Sequence, residues 1–215
     1  MIKAKEKPII FSTPSIPAIQ NLKPGTWPPE PIDPGKPWKW QTRRIVKDDI
    51  VNGFDIDIDG KVIAYIDQAT GDSYKPEEIC PYPPGARLWV RETFCEVPYE
   101  HNHVPIKGGY ITIPKYAYKA DSERDYTGIW KPSIHMPREA ARIFLQVTNV
   151  RVERLQDITE EDAIAEGMSK TLVDGVTFIS AKGKFHALWD TLYAKRGHPW
   201  ENNPWVWVYE FMRIE

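Results

Sequence analysis

Alternation of apolar and polar residues dominates this chain, and it predicts a strand-rich fold. Pro8-Ile-Ile-Phe11 reads as a short first strand and Gln41–Val46 as a second. Residues 53–66 alternate (Phe54, Ile56, Ile58, then Val62, Ala64, Ile66) around Asp59-Gly60, which predicts a hairpin because glycine tolerates the positive φ of a tight turn. Leu88–Phe94 predicts another strand, with Leu88, Val90 and Glu92 on one side and Trp89, Arg91 and Thr93 on the other. The longest strand is expected over Ile143–Leu155. There Phe144, Gln146, Thr148, Val150 and Val152 oppose Ile143, Leu145, Val147, Asn149, Arg151 and Glu153. The imperfect alternation predicts burial on both faces early and on one face later. Trp205–Phe211 is a strongly apolar final strand.

Helical spacing is confined to short stretches. Asp157–Gly167 carries Thr159 as N-cap, acids in the first turn and Gly167 as a stop. Glu166 is then the last helical residue, where a carboxylate opposes the helix dipole and so is not placed for helix stability. Lys182–Lys195 aligns Phe185, Leu188, Trp189, Leu192 and Tyr193 on one face, a stripe expected in the core. Ser12–Leu22 has room for one or two turns. Residues 23–38 hold six prolines and two glycines, which predicts a stiff, irregular insertion. A second, loop-rich insertion is expected over about 96–130. The sum is one α+β domain over residues 1–215, a small strand-dominated barrel with helices on its flank.

A length of 215 residues, 41% of them hydrophobic, is enough to bury a core. The net charge of −2 excludes a uniformly cationic coat, so any nucleic-acid contact must come from a local patch. Nine tryptophans and ten tyrosines supply faces that stack on bases, although most are expected in the core and at contacts. The charged N-terminus and the lack of a long apolar run predict a cytoplasmic protein with no membrane partner. Cys80, Cys95, His101 and His103 lack metal-ligand spacing, and Asp55, Asp57 and Asp59 sit in a hairpin where a calcium loop needs flanking helices. No metal and no cofactor is expected. Ser133 and His135 lack an orienting carboxylate and make a weak triad.

The densest chemistry is Lys39-Trp40-Gln41-Thr42-Arg43-Arg44. In an extended chain Thr42 and Arg44 share one face while Gln41 and Arg43 share the other. This run, together with Phe11-Ser-Thr, Pro84-Gly-Ala-Arg-Leu-Trp-Val-Arg-Glu-Thr93, Asp162-Ala-Ile-Ala-Glu-Gly167 and Pro204-Trp-Val-Trp-Val, resembles the ASCH domain family, most closely its larger phage and prophage members. The resemblance covers most of the chain and implies a PUA-like β-barrel associated with RNA binding.

One branch of that family hydrolyses N4-acylated cytidine with a lysine, a threonine three residues later and a glutamate on a distant helix. By motif these fall on Lys39, Thr42 and Glu166, with Arg44 matching a further arginine. Pro37 stands where the family has glycine, and Gly35-Lys36 offers a second register with Lys36 in the lysine's place. The resemblance thus implies Lys39, Thr42 and Glu166 as catalytic residues of an amidohydrolase. Arg44, Gln41, Arg43, Trp40 and Trp38 are the candidates for binding RNA or a cytidine-like modified nucleoside. A non-catalytic RNA-binding module, with Trp38, Trp40 or Trp130 stacking on bases, is the second possibility. A phage accessory protein acting through protein contact is the third.

Overall fold

The computed structural model describes residues 6–97, 103–106, 109–112, 114–121, 129–173 and 177–214. In chain order the first elements are β1 (Lys7–Ile10), α1 (Ser15–Gln20), β2 (Gln41–Ile45) and the single turn α2 (Asp48–Val51). The expected hairpin follows as β3 (Phe54–Ile56) and β4 (Val62–Ile66), extended by β5 (Ser73–Tyr74) and the short α3 (Pro76–Ile79). Next come β6 (Arg87–Arg91), β7 (Phe94–Glu96), β8 (His103–Ile106), β9 (Gly109–Thr112) and β10 (Tyr116–Tyr118). The chain finishes with β11 (Phe144–Arg154), α4 (Glu160–Ala165), β12 (Thr171–Val173), β13 (Thr177–Ile179), α5 (Ala181–Tyr193) and β14 (Trp205–Arg213).

The fold is mixed α+β around a five-stranded sheet in the order β1-β6-β11-β14-β2. Strands β1 and β6 pair in parallel, and the other neighbours are antiparallel. The expected barrel is not closed: among the described residues no backbone pairing joins the edge strands β1 and β2. Their separation is nonetheless small, because Arg44 on β2 donates from Nη2 to the Ile10 carbonyl on β1 at 2.8 Å. The sheet therefore curls until one guanidinium spans its two edges.

Two expectations for strands are corrected. Leu88–Phe94 is not one strand: β6 ends at Arg91, and Phe94 starts β7, which pairs with β10 in a separate ribbon. On β11 the register against β14 shifts between Val147 and Asn149. A bulge adds one residue and reverses the parity of every side chain beyond it. Leu145 and Val147 therefore share the main apolar core with Val150 and Val152. Arg151 and Glu153, expected beside Leu145 and Val147, lie instead on the opposite face, which α4 and α5 cover.

The two largest core clusters lie on opposite faces of the sheet. One holds Trp205, Trp207, Tyr209 and Phe211 of β14 with β1, β6 and α1. The other packs Val206 and Val208 against Phe185 and Trp189 of α5 and Ala163 of α4. Ser180 caps α5 by accepting from the Gly183 N–H at 3.0 Å. Thr159 caps α4 as expected, accepting from the Asp162 N–H at 3.0 Å, while Asp162 reaches back to the Thr159 N–H. Helix α4 ends at Ala165, Glu166 is its C-cap, and Gly167 takes φ +91°.

That glycine fixes where the α4 exit meets β2. A Cβ at Gly167 would lie 3.3 Å from the Lys39 Cβ and 3.4 Å from the Ala18 Cβ. Gly167→Ala is expected to destabilise the chain by about 1–2 kcal/mol from the left-handed backbone alone, measured by urea unfolding. The same change is expected to displace Lys39.

Candidate functional site

Strand β2 is the hinge of the site because it is an edge strand with a different environment on each face. Gln41, Arg43 and Ile45 pair with Glu210, Val208 and Val206 and face α4 and α5. Thr42 and Arg44 pair with Tyr209 and Trp207 and face the main core. Just before β2, Lys39 makes an isolated antiparallel bridge with Glu166 at the end of α4, and the Trp40 N–H donates to the Ala165 carbonyl at 3.0 Å. Residues more than a hundred positions apart are joined by main-chain bonds before their side chains meet.

The side chains then meet in a buried ionic network. Lys39 Nζ donates to the Glu166 carbonyl at 3.0 Å and forms a direct ion pair with Glu166 Oε2. Arg43 takes the other carboxylate oxygen, with Nη1 to Oε1 at 3.3 Å. Both Lys39 and Glu166 are only 4% exposed. Arg43, whose side chain is fully buried, also donates from Nε to Glu153 at 3.1 Å and from Nη1 to Gln41 Oε1 at 2.8 Å, and pairs with Asp162 at 3.3 Å. Arg151 completes the network by bonding Glu153, Glu210 and Asp162.

Burial pushes the Lys39 ammonium below the ordinary lysine value. Glu166 pulls it back, and Arg44 and Arg43 add to the depression. Asp162 feels burial pushing its carboxyl up, but Arg43, the Thr159 N–H and Arg151 outweigh it and hold the group below its ordinary value.

Arg44 stands apart from this network. Its guanidinium donates to Thr42 Oγ1 at 2.8 Å, to the Arg43 carbonyl at 2.9 Å and to Ile10, and lies 5.2 Å from the Phe11 ring centre. Among the described residues no carboxylate pairs with it.

A cavity of about 540 Å³ wraps the open edge of β2, a size suited to a small organic ligand. Lys39, Thr42, Arg43, Arg44 and Glu166 line it together. One wall carries hydroxyls from Ser12, Thr13 and Ser15 at the β1–α1 corner, and Thr93 and Ser133 add two more. The facing wall is apolar and comes from α5, through Phe185, Leu188, Leu192 and Tyr193. The aromatic stripe expected wholly in the core thus has a second use. Phe185 and Trp189 are buried, whereas Leu192 is 38% exposed on the cavity side of the helix.

The remaining candidates lie elsewhere. Gln41 is buried and bonded to Arg43 but does not line the cavity. Trp40 packs on Trp27 and Trp38, with ring centres 6.1 and 6.5 Å apart, and both Trp38 and Trp40 lean on the main core. Neither lines this cavity, although Trp38 borders a separate groove with Pro34–Pro37 and Met168. Lys36, the alternative to Lys39, is exposed and pairs with Asp33 at 3.3 Å. Cys80 and Cys95 are buried free thiols, and among the described residues no three metal-binding side chains are gathered. His101 lies outside the described residues. No helix among them is long and apolar enough to cross a membrane.

Sequence reasoning missed Glu153, Asp162 and Arg151 as supports of the site. The available signal was the pair of charges breaking the apolar pattern of β11. No known protein-family model, curated protein or solved structure matches the chain.

The two neighbouring arginines are expected to behave differently when truncated. Arg43→Met leaves Glu153, Asp162 and Glu166 without a shared counter-ion and should cost about 3–5 kcal/mol. Arg44→Met loses only hydrogen bonds to neutral oxygens, worth about 1 kcal/mol each. Equilibrium denaturation of the two variants side by side checks the ordering.

Proposed function

We propose that the chain is an ASCH-type, PUA-like protein whose cavity binds an N4-acylated cytidine and hydrolyses its exocyclic amide. One observation carries this assignment: Lys39 and Glu166, 127 positions apart, are in direct contact and line one cavity together with Thr42. The cavity volume suits a nucleoside, and its two walls suit a ligand that is polar on one side and apolar on the other.

The chemistry follows from one proton shared by the buried pair. With that proton on Glu166, neutral Lys39 is the base that accepts the Thr42 hydroxyl proton as Oγ1 attacks the acyl carbon. Glu166 then protonates N4 as the C–N bond breaks, releasing cytidine and leaving an ester on Thr42. Water attacks the ester, passing its proton to the Glu166 carboxylate, and the Lys39 ammonium returns a proton to Thr42 Oγ1. A carboxylic acid leaves and the starting proton arrangement is restored. The burial that depresses Lys39 makes its neutral form accessible.

A free nucleoside suits this cavity better than an RNA strand or a protein partner, because Trp38 and Trp40 are packed on the core and do not form a stacking platform beside it.

N4-acetylcytidine should be converted to cytidine and acetate, followed by chromatography. Thr42→Ala and Glu166→Gln should each lower kcat by about 10²–10⁴ while unfolding stays cooperative; full turnover in both variants rejects the nucleophile and acid–base roles. Because the reactive state carries one proton between Lys39 and Glu166, kcat/KM should fall as pH rises past the loss of that proton, on a limb below lysine's ordinary 10.5. That limb should disappear in Lys39→Met.

A further inference from the structure

The cavity lies against a sheet edge, and that edge carries main-chain groups as well as side chains. The Phe211 N–H donates to the Trp40 carbonyl at 2.9 Å, and the Val46 N–H donates to the Trp205 carbonyl at 3.0 Å. Both pairs continue the register of β2 against β14, in which Thr42 faces Tyr209 and Arg44 faces Trp207. Hydrogen bonding alternates along an antiparallel pair, so Thr42 and Arg44, flanked by the Trp40 carbonyl and the Val46 N–H, turn their main-chain groups toward β14. Gln41, Arg43 and Ile45 turn theirs outward, and among the described residues β2 has no further strand on that side.

Arg43 is the outward residue beside the cavity. Its side chain is fully buried among carboxylates, yet the residue is 2% exposed and lines the cavity. What it presents there is therefore main chain. Its carbonyl is occupied by Arg44 Nη1 at 2.9 Å, while its N–H has no acceptor among the described residues. A buried, unpaired N–H is costly and marks a place where a ligand oxygen completes the bonding.

We infer that the Arg43 main-chain N–H is the donor that binds the substrate's acyl oxygen and stabilises the oxyanion formed at it. This rests on the hydrolase assignment and adds a catalytic group to it. The N–H belongs to the residue directly after Thr42, so a carbonyl attacked by Thr42 Oγ1 has this donor within one residue of the new bond. The same relation between a nucleophile and the following N–H recurs in unrelated acyl-transfer sites. When Oγ1 adds, the carbonyl π electrons move onto oxygen, and the hydrogen bond from the N–H strengthens as that charge grows. On collapse the pair returns and the C–N bond breaks. Arg44, which bonds both Thr42 Oγ1 and the Arg43 carbonyl, holds the edge in place and adds positive charge beside the oxyanion.

The test replaces Arg43 with its α-hydroxy analogue by nonsense suppression in the full chain. The side chain is unchanged, and the main-chain ester removes the N–H while weakening the Thr42 carbonyl as an acceptor toward β14. The variant should lose about 10²–10³ in kcat toward N4-acetylcytidine with little change in KM. The same ester at Ile45, outward on β2 but away from the cavity, should leave kcat unchanged. A second measurement needs no ester: in the Thr42→Ala chain labelled with ¹⁵N-arginine, the Arg43 amide proton should move downfield on saturation with N4-acetylcytidine. Undiminished kcat in the Arg43 ester, or an amide resonance that does not move, overturns the donor role alone. Absence of turnover by the wild-type chain overturns the hydrolase assignment and this role with it.

Discussion

Glu166 is held between two cations, one on each carboxylate oxygen, and the rest of the site depends on that clamp. Lys39 reaches it from the segment entering β2 and Arg43 from β2 itself, so the carboxylate ties the α4 exit to the open edge of the sheet. Burying these charges is expensive, and a buried network of this kind adds little net stability. What it supplies is position. Each group has only one place where its desolvation is compensated, and an Arg43 held by Glu153, Asp162 and Gln41 cannot drift toward solvent.

The bulge in β11 makes the clamp possible. Without the extra residue, Arg151 and Glu153 would share the face of Leu145 and Val147, inside the main apolar core. Shifting parity by one sends both charges to the α4 face, where they meet Arg43 and Asp162. The capping box of α4 joins in, because the Asp162 that closes it also bonds Arg151 and pairs with Arg43. One local device for starting a helix thus anchors a tertiary network. The left-handed Gly167 ends the same helix one residue past Glu166 and lets Lys39 pack against it.

The open edge of β2 is the complementary feature. An edge strand is normally shielded against pairing with other chains, and here the curl of the sheet brings the β1–α1 corner and α5 around it. The result is a small chamber with an ionic end, a hydroxyl wall and an apolar wall. Arg44 closes the seam between the two edge strands with a side chain where a barrel would use backbone pairing.

Much of this was legible from local pattern alone. The β3–β4 hairpin, the caps of α4, the helix over Ala181–Tyr193 and the final strand all follow from short-range rules of turn chemistry, capping and periodicity. So does the division of β2 into Thr42 and Arg44 against Gln41 and Arg43, since extended geometry fixes it. The bulge, the break between β6 and β7 and the open seam were not legible, because each is set by what a strand pairs with. For the same reason it was not legible that Trp38 and Trp40 pack half-buried against the main core, or that the α5 stripe also lines the cavity. Sequence set which residue types stand at which local positions; only long-range packing decided which of them share a buried space, and desolvation in that space is what alters the chemistry of Lys39.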